Sequence, residues 1–402
     1  MRGRRDSEPS LEAVRSGPRL RPDLAQARAA LSEATARGEN SEIAAAECEL
    51  GLALAAARDE HHARLAFDRA TGLGDPDQTP RALRNHAASL WNDGDTERAT
   101  ALLRRAVALR HPMWSGLAAL DLVGTTADDS DAVELLRSVL TWTDRPQRSA
   151  VRVVQARLSQ LDGDIDAAIS GFEAVLSERD ADLCDIAAIH LAAIYSEQGD
   201  QSAAERVLRV GLDVIIEHAR STTSEAQLRL VLGSLLARRG DLDTGREELA
   251  RAAALGSRTT RAWAYLELGM ASLQRAELAR APRRRRQLED QAIDELTRAM
   301  DTTVPRLLTS ARIALAFAHK QLGQFETACA ILAAAVDSAT STQRPGVLLN
   351  YAEMLAATRH RDKAHAVIAQ VITTGPPEIH DRAHALRIKI DTDWPKGWRF
   401  PQ

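Results

Sequence analysis

The sequence predicts an all-α fold, a solenoid of stacked helix hairpins, and three observations predict it. The first is a column of small residues that recurs nine times, at Ala63, Ala99, Ala132, Ala168, Ala204, Gly245, Ala292, Ala328 and Ala364. The second is the spacing around it. Four residues after each small residue comes a large apolar one, at Phe67, Leu103, Leu136, Phe172, Leu208, Leu249, Leu296, Leu332 and Ile368. Three further on stands a small or β-branched one, from Ala70 and Ala106 to Ala335 and Val371. Residues four and seven apart share one helix face. The third is a companion column twelve residues upstream: Gly51, Ala87, Leu120, Ala156, Ala192, Gly233, Ala316 and Ala352, with Gly269 displaced by an insertion. A period of about 36 residues with helical internal spacing marks hairpins that bury their apolar faces on their neighbours.

Each element follows in order. Residues 1–22 hold Arg2, Arg4 and Arg5 among Ser, Gly and Pro, with no apolar run, and read as a disordered basic tail, not a secretory signal. An amphipathic helix is expected from about Asp23 to Arg37, ended by Gly38, so that residues 23–40 form an N-terminal cap. Nine hairpins occupy residues 41–374. Their internal turns carry Gly94-Asp95, Gly163-Asp164, Gly199-Asp200, Gly240-Asp241 and Gly323-Gln324, a glycine to close the first helix and, in four of the five, an aspartate to cap the second. Arg58-Asp59 and Arg359-His360 lack the glycine and need another solution. Pro376 and Pro377 break the chain, and Ile379, Ala383, Leu386 and Ile390 make one face of a capping helix over residues 375–391. The tail, residues 392–402, holds Trp394, Trp398 and Phe400 without helical pattern.

Composition excludes several classes. Hydrophobic residues are 45% but aromatics only 3%, so alanine and leucine carry the packing. A net charge of −4 gives no global basic field and speaks against nucleic acid. Lys320, Lys363, Lys389 and Lys396 are the only lysines. The arginine- and alanine-rich balance suggests a bacterial source. Cys48, Cys184 and Cys329 are an odd, dispersed set that fits a reducing cytoplasm. No apolar run is long enough to span a membrane.

The hairpin pattern resembles the tetratricopeptide repeat (TPR) family. Leu232-Gly233 with Gly240-Asp241, Leu249 and Ala252 follows its motif, as do Leu191-Ala192, Tyr195, Gly199-Asp200, Ala204 and Leu208. The resemblance covers residues 41–374; the proline at the end of the motif is mostly missing. It implies a right-handed superhelix whose first (A) helices line a concave groove that takes a peptide or a protein. At the family's groove-facing positions stand Leu230 in the sixth repeat, Trp263, Leu266, Met270 and Leu273 in the seventh, and Ile313, Phe317 and Lys320 in the eighth. Arg81 and Arg84 in the second repeat and Arg157 in the fourth make the other end basic. The opposing reading is that curvature buries these positions against one another.

No residue set assembles an active site. His380 and His384 share a helix face without a third metal ligand or the glutamate of a zinc motif, and no phosphate loop, dinucleotide fingerprint or nucleophile elbow is present. No enzyme activity, metal or cofactor is expected. Arg283, Arg284, Arg285 and Arg286 lie in the long insertion of the seventh hairpin, where the two columns are 23 residues apart instead of twelve. Four adjacent arginines suit a polyanion or an acidic partner. They also read as a solvated turn, with Arg286 paired to Glu289 or Asp290. The expected function is a cytoplasmic protein-interaction scaffold that binds a peptide or helix in its groove. The alternative is the peptide-responsive sensor subunit of a bacterial signalling or transcription system. Partner identity and oligomeric state stay open.

Overall fold

The computed structural model describes residues 24–393 apart from 58, 93, 124–128, 142–148 and 219–221. The expectations for residues 1–22, for the turn at Arg58 and for the aromatic tail from Trp394 lie outside the described residues. Among the described residues there are twenty α-helices and no strand. The first, α1 (Leu24–Arg37), precedes nine A/B pairs. These are α2 (Asn40–Ala56) with α3 (Glu60–Gly72), α4 (Gln78–Asn92) with α5 (Thr96–Ala108), and α6 (Trp114–Val123) with α7 (Asp129–Thr141). Next come α8 (Ser149–Leu161) with α9 (Ile165–Ser177), α10 (Cys184–Glu197) with α11 (Gln201–His218), and α12 (Thr222–Arg239) with α13 (Leu242–Leu255). The last three are α14 (Arg258–Leu278) with α15 (Pro282–Ala299), α16 (Pro305–Gln321) with α17 (Phe325–Ser338), and α18 (Arg344–Ala357) with α19 (Arg361–Thr374). The helix α20 (Pro377–Asp393) packs on α18 and α19.

The chain forms two compact units, one up to Arg261 and one from Ala262. In the first, every A helix packs on its own B helix, and each A helix from α2 to α10 also touches the A helix of the next hairpin. This makes an inner row of A helices backed by B helices. In the second unit, Leu266, Leu273, Leu296, Leu307 and Leu315 share a core drawn from α14, α15 and α16. A second core joins Leu348 and Leu355 to Ile368, Val371, Ala383 and Ile390.

The sequence columns are the contacts between helices. All nine large residues of the B-helix column are buried, and so is each of its small residues whose side chain is described. Ala132 is the one whose side chain falls outside the description. Small residues are required because the helices of a hairpin cross closely. A Cβ added to Gly245 would stand 2.9 Å from both Ala237 N and Gly233 O, distances that real Cβ atoms essentially never show. Leu120 is the large exception in the upstream column and is only half-buried, on the ten-residue α6.

The turns use the expected glycines. Gly94, Gly163, Gly199, Gly240 and Gly323 have φ between 73° and 94°, the left-handed region open to glycine. Behind four of them the aspartate caps the next helix: Asp95, Asp164, Asp200 and Asp241 accept from the backbone N–H three residues on. Asp59 does the same for His62. In the ninth hairpin Arg359 itself adopts φ 65°, so a side chain occupies the glycine conformation there.

Polar groups buried between helices differ from hairpin to hairpin. Glu47 of α2 accepts two bonds from Arg69 of α3, at 2.6 and 2.8 Å. Arg229 of α12 donates to Glu225 and, across the hairpin, to Glu248 of α13 at 2.5 Å. In the seventh hairpin the equivalent B-helix glutamate is Glu295, which accepts from Ser272 of α14 at 2.6 Å.

Candidate protein-interaction site

The second unit places the predicted groove residues at different depths. Met270 on α14 and Phe317 on α16 stand one residue past the upstream column in consecutive A helices, and they are 45% and 43% exposed. Trp263 and Ile313 are half-buried beside them, each resting on core residues. Leu266 and Leu273 do not belong to this surface. They are 7% and 2% exposed, because their edge of α14 packs into the core that includes Leu307 and Ala311 of α16. The seam between the two A helices carries a Gln321-to-Glu277 hydrogen bond of 3.0 Å. Lys320 reaches to the next A helix and pairs with Glu353 of α18 at 3.0 Å. Glu353 holds the register of Met270 and Phe317, so the apolar row of this unit gives way to an ion pair at the ninth hairpin. Leu230 is half-buried on α12 in the first unit.

The exposed strip follows the helix period beyond Met270. Trp263, Glu267, Met270, Gln274 and Leu278 recur at spacings of three and four along α14, which puts them on one face. Leu278 ends that face and is 71% exposed. The insertion has lengthened both helices of this hairpin, to 21 residues in α14 and 18 in α15. Pro282 occupies the first turn of α15, with Arg283, Arg284, Arg285 and Arg286 directly after it, all exposed. Three of them make local contacts. Arg284 donates to Gln287, Arg285 to the Ala279 carbonyl, and Arg286 lies 3.4 Å from Asp290.

The arginines expected at a basic groove end are already engaged. Arg81 pairs with Glu49 at 2.5 Å and lies over the Trp114 ring, 5.5 Å from its centroid. Arg84 makes two bonds to Asp121, at 2.6 and 3.3 Å. Burial alone would depress the Arg84 guanidinium, but Asp121 and then Asp185 outweigh it and raise it above its ordinary value. Burial pushes the Asp185 carboxyl up, against bonds from Ser224 and Ile186 and the charge of Arg84. Arg157 donates to Gln160 at 2.8 Å. The acids that quench Arg81 and Arg84 come from neighbouring repeats, and an acid about one period away is the sequence signal that could have found them.

Titratable groups elsewhere have structural surroundings. His380 contacts the Gly375 carbonyl, and His365 and Arg361 share Asp391. Among the described residues no group of three or more His, Cys, Asp or Glu side chains is arranged to hold a metal ion. No described helix is long and apolar enough to cross a membrane. Burial raises the Cys48 and Cys184 thiols to about 11 and about 12, far from a reactive thiolate.

The sequence matches no protein-family model and no curated protein. Solved structures do match. An IFIT1 monomeric mutant with m7Gppp-AAAA superposes with a TM-score of 0.57 at 13% identity, over 86% of this chain and 81% of that one. The human IFIT1 dimer with m7Gppp-AAAA gives 0.54 at 14% identity, over 92% and 85%. TTC0263, a thermophilic TPR protein of Thermus thermophilus, aligns over 51% of this chain and 98% of its own at 18% identity, with a TM-score of 0.39. The chain has a TPR-like α-solenoid fold. At these identities the TPR-like likeness is one of fold; what the chain binds has to be argued from its own residues.

Proposed function

We propose that this TPR-like chain is a non-enzymatic interaction scaffold that works in a reducing, cytoplasmic setting. It holds a helix or peptide of another protein against the A helices of its second unit. The observation that carries the reading is the pair Met270 and Phe317, large apolar side chains left 45% and 43% exposed at one register of consecutive A helices. With Trp263 and Ile313 beside them they form an apolar strip of the kind that generally marks a partner site. An amphipathic helix meets such a strip with anchors at i, i+3, i+4 and i+7. Large aromatics dominate interface energetics, so Trp263 and Phe317 are the expected hot spots, each worth about 2 kcal/mol or more on truncation.

The test is affinity capture from the native cell followed by binding measurements on the captured protein. A Trp263→Ala, Phe317→Ala double variant should stay folded by circular dichroism, with a lowered melting temperature because Trp263 rests on core residues, and should lose that partner by roughly a thousand-fold in affinity if the two losses add. Retention of the partner by a folded double variant would refute this site.

A further inference from the structure

We propose that the tip of the α14–α15 hairpin is an acceptor for the acidic stretch of a partner protein. Between residues 278 and 287 the chain carries Arg280, Arg283, Arg284, Arg285 and Arg286 and no acid. All five arginines are exposed. Arg280 and Arg283 meet no carboxylate among the described residues, and the contact of Arg286 with Asp290 is long and exposed. A second observation concerns the helix they start. Helix N-termini favour acidic residues, because the orphan N–H groups and the macrodipole are positive there. Five B helices of this chain begin with an aspartate cap, whereas α15 begins at Ala281 with no side-chain cap and no acid in its first turn. Four arginines at that place work against the helix that bears them. Carboxylates from outside would both pair with the guanidinium forks and supply the missing negative charge.

The surroundings favour a protein over a nucleic acid. The basic run is one to two helical turns, roughly 10 Å along the axis, and Glu277, Glu289 and Asp290 bracket it. A nucleic acid reaching past the tip would meet those carboxylates, and no aromatic ring lies between residues 278 and 290 to stack a base. Leu278, 71% exposed at the edge of the arginines, ends the face that holds Met270 and Trp263. A protein segment with an apolar residue next to its acidic run covers both features.

This deepens the scaffold reading and rests on it for the partner being a protein, but the two sites are tested by different variants. The probe is a fluorescein-labelled peptide with two leucines followed by six glutamates, read by anisotropy at about 50 mM and about 200 mM salt. Parallel arms use an oligoadenylate RNA of equal charge and vesicles containing phosphatidylserine. The wild-type chain should bind the peptide, more weakly at the higher salt. Replacing Arg283, Arg284, Arg285 and Arg286 together with Gln, a comparably good helix former, should weaken binding roughly ten-fold or more and flatten the salt dependence. Leu278→Ser should cost a few-fold. Circular dichroism checks that both variants stay helical, and Arg280→Gln, outside α15, should weaken binding measurably without touching the helix. The Trp263→Ala, Phe317→Ala variant should still bind the peptide, so loss at the strip and loss at the tip are separable. No binding by the wild type, equal binding by the four-Gln variant, or a preference for the RNA or the vesicles would each overturn the proposal.

Discussion

The same substitution, glycine to alanine, should have opposite signs at two helical positions. At Gly245 the new Cβ would stand 2.9 Å from Ala237 N and from Gly233 O and 3.2 Å from the Ala237 Cβ. Two of these three are backbone atoms of the facing helix, so relief requires α12 and α13 to move apart by about half an ångström or more. Overpacking of this kind costs roughly 1–3 kcal/mol, against about 0.5–1 kcal/mol gained from replacing a helical glycine. Gly245→Ala should therefore destabilise, by up to about 2.5 kcal/mol. At Gly72, the last residue of α3, an added Cβ meets nothing within 4 Å. Gly72→Ala should stabilise by a few tenths to about 1 kcal/mol. Urea unfolding followed by far-ultraviolet circular dichroism reads both. Because repeat arrays need not unfold as one unit, amide exchange in α12 and α13 should localise the Gly245 effect to the sixth hairpin. A Gly245→Ala chain as stable as wild type would mean that the crossing is looser than these distances and that the column does not set the hairpin contact.

Three further outcomes are expected. Arg359→Gly should stabilise by up to about 1 kcal/mol in thermal melts, since a left-handed conformation costs an L-residue roughly 1–2 kcal/mol and glycine returns part of that as chain entropy; a loss of stability would contradict the positive φ. Arg229→Leu should cost about 3 kcal/mol in urea melts by leaving Glu225 and Glu248 without their buried partner, with Arg251, 3.2 Å from Glu248, limiting the loss; no loss would show that the pair is solvated. His190 is stacked on Phe172 at 5.2 Å, and burial, then Arg157, depress it from 6.5 to about 4. The folded state therefore prefers the neutral ring, so its stability is full above pH 6.5 and falls between pH 6.5 and about pH 4. His86, depressed by burial against the pull of Asp68, adds to the fall below pH 6.5. His190→Phe should flatten part of that slope, and an unchanged profile would remove His190 as its source.

The hairpin period was legible because tight helix crossings admit few residue types, and the small column from Ala63 to Ala364 carries that restriction in every repeat. The capping aspartates were legible for a similar reason, as the turn needs a glycine and the next helix needs an acceptor. Depth was not legible. Family register assigns Leu266 and Met270 to the same side of α14, but the packing of α16 against that helix buries the first and leaves the second open. The arginines at Arg81 and Arg84 were read without their partners, because Glu49 and Asp121 lie 32 and 37 residues away and touch them only when hairpins stack. The insertion was visible as a spacing anomaly. That it extends both helices, and ends one of them on an exposed leucine, shows only in the folded hairpin, where Pro282 opens α15.

The buried polar pairs give otherwise interchangeable hairpins an address. With small and large apolar residues at the same registers in every repeat, an A helix could dock on the wrong B helix with little apolar loss, and such misassembly is a characteristic failure of repeat chains. Glu248 and Glu295 occupy the same register, yet one needs the guanidinium of Arg229 and the other the hydroxyl of Ser272. Docking α12 on a B helix that carries Gly171 or Ile331 at that register would leave the Arg229 guanidinium without its carboxylate, at a cost of several kcal/mol. Such pairs weigh against docking on the hairpins that lack the acid, and a chain rebuilt from identical consensus hairpins would lose that discrimination while keeping its apolar columns.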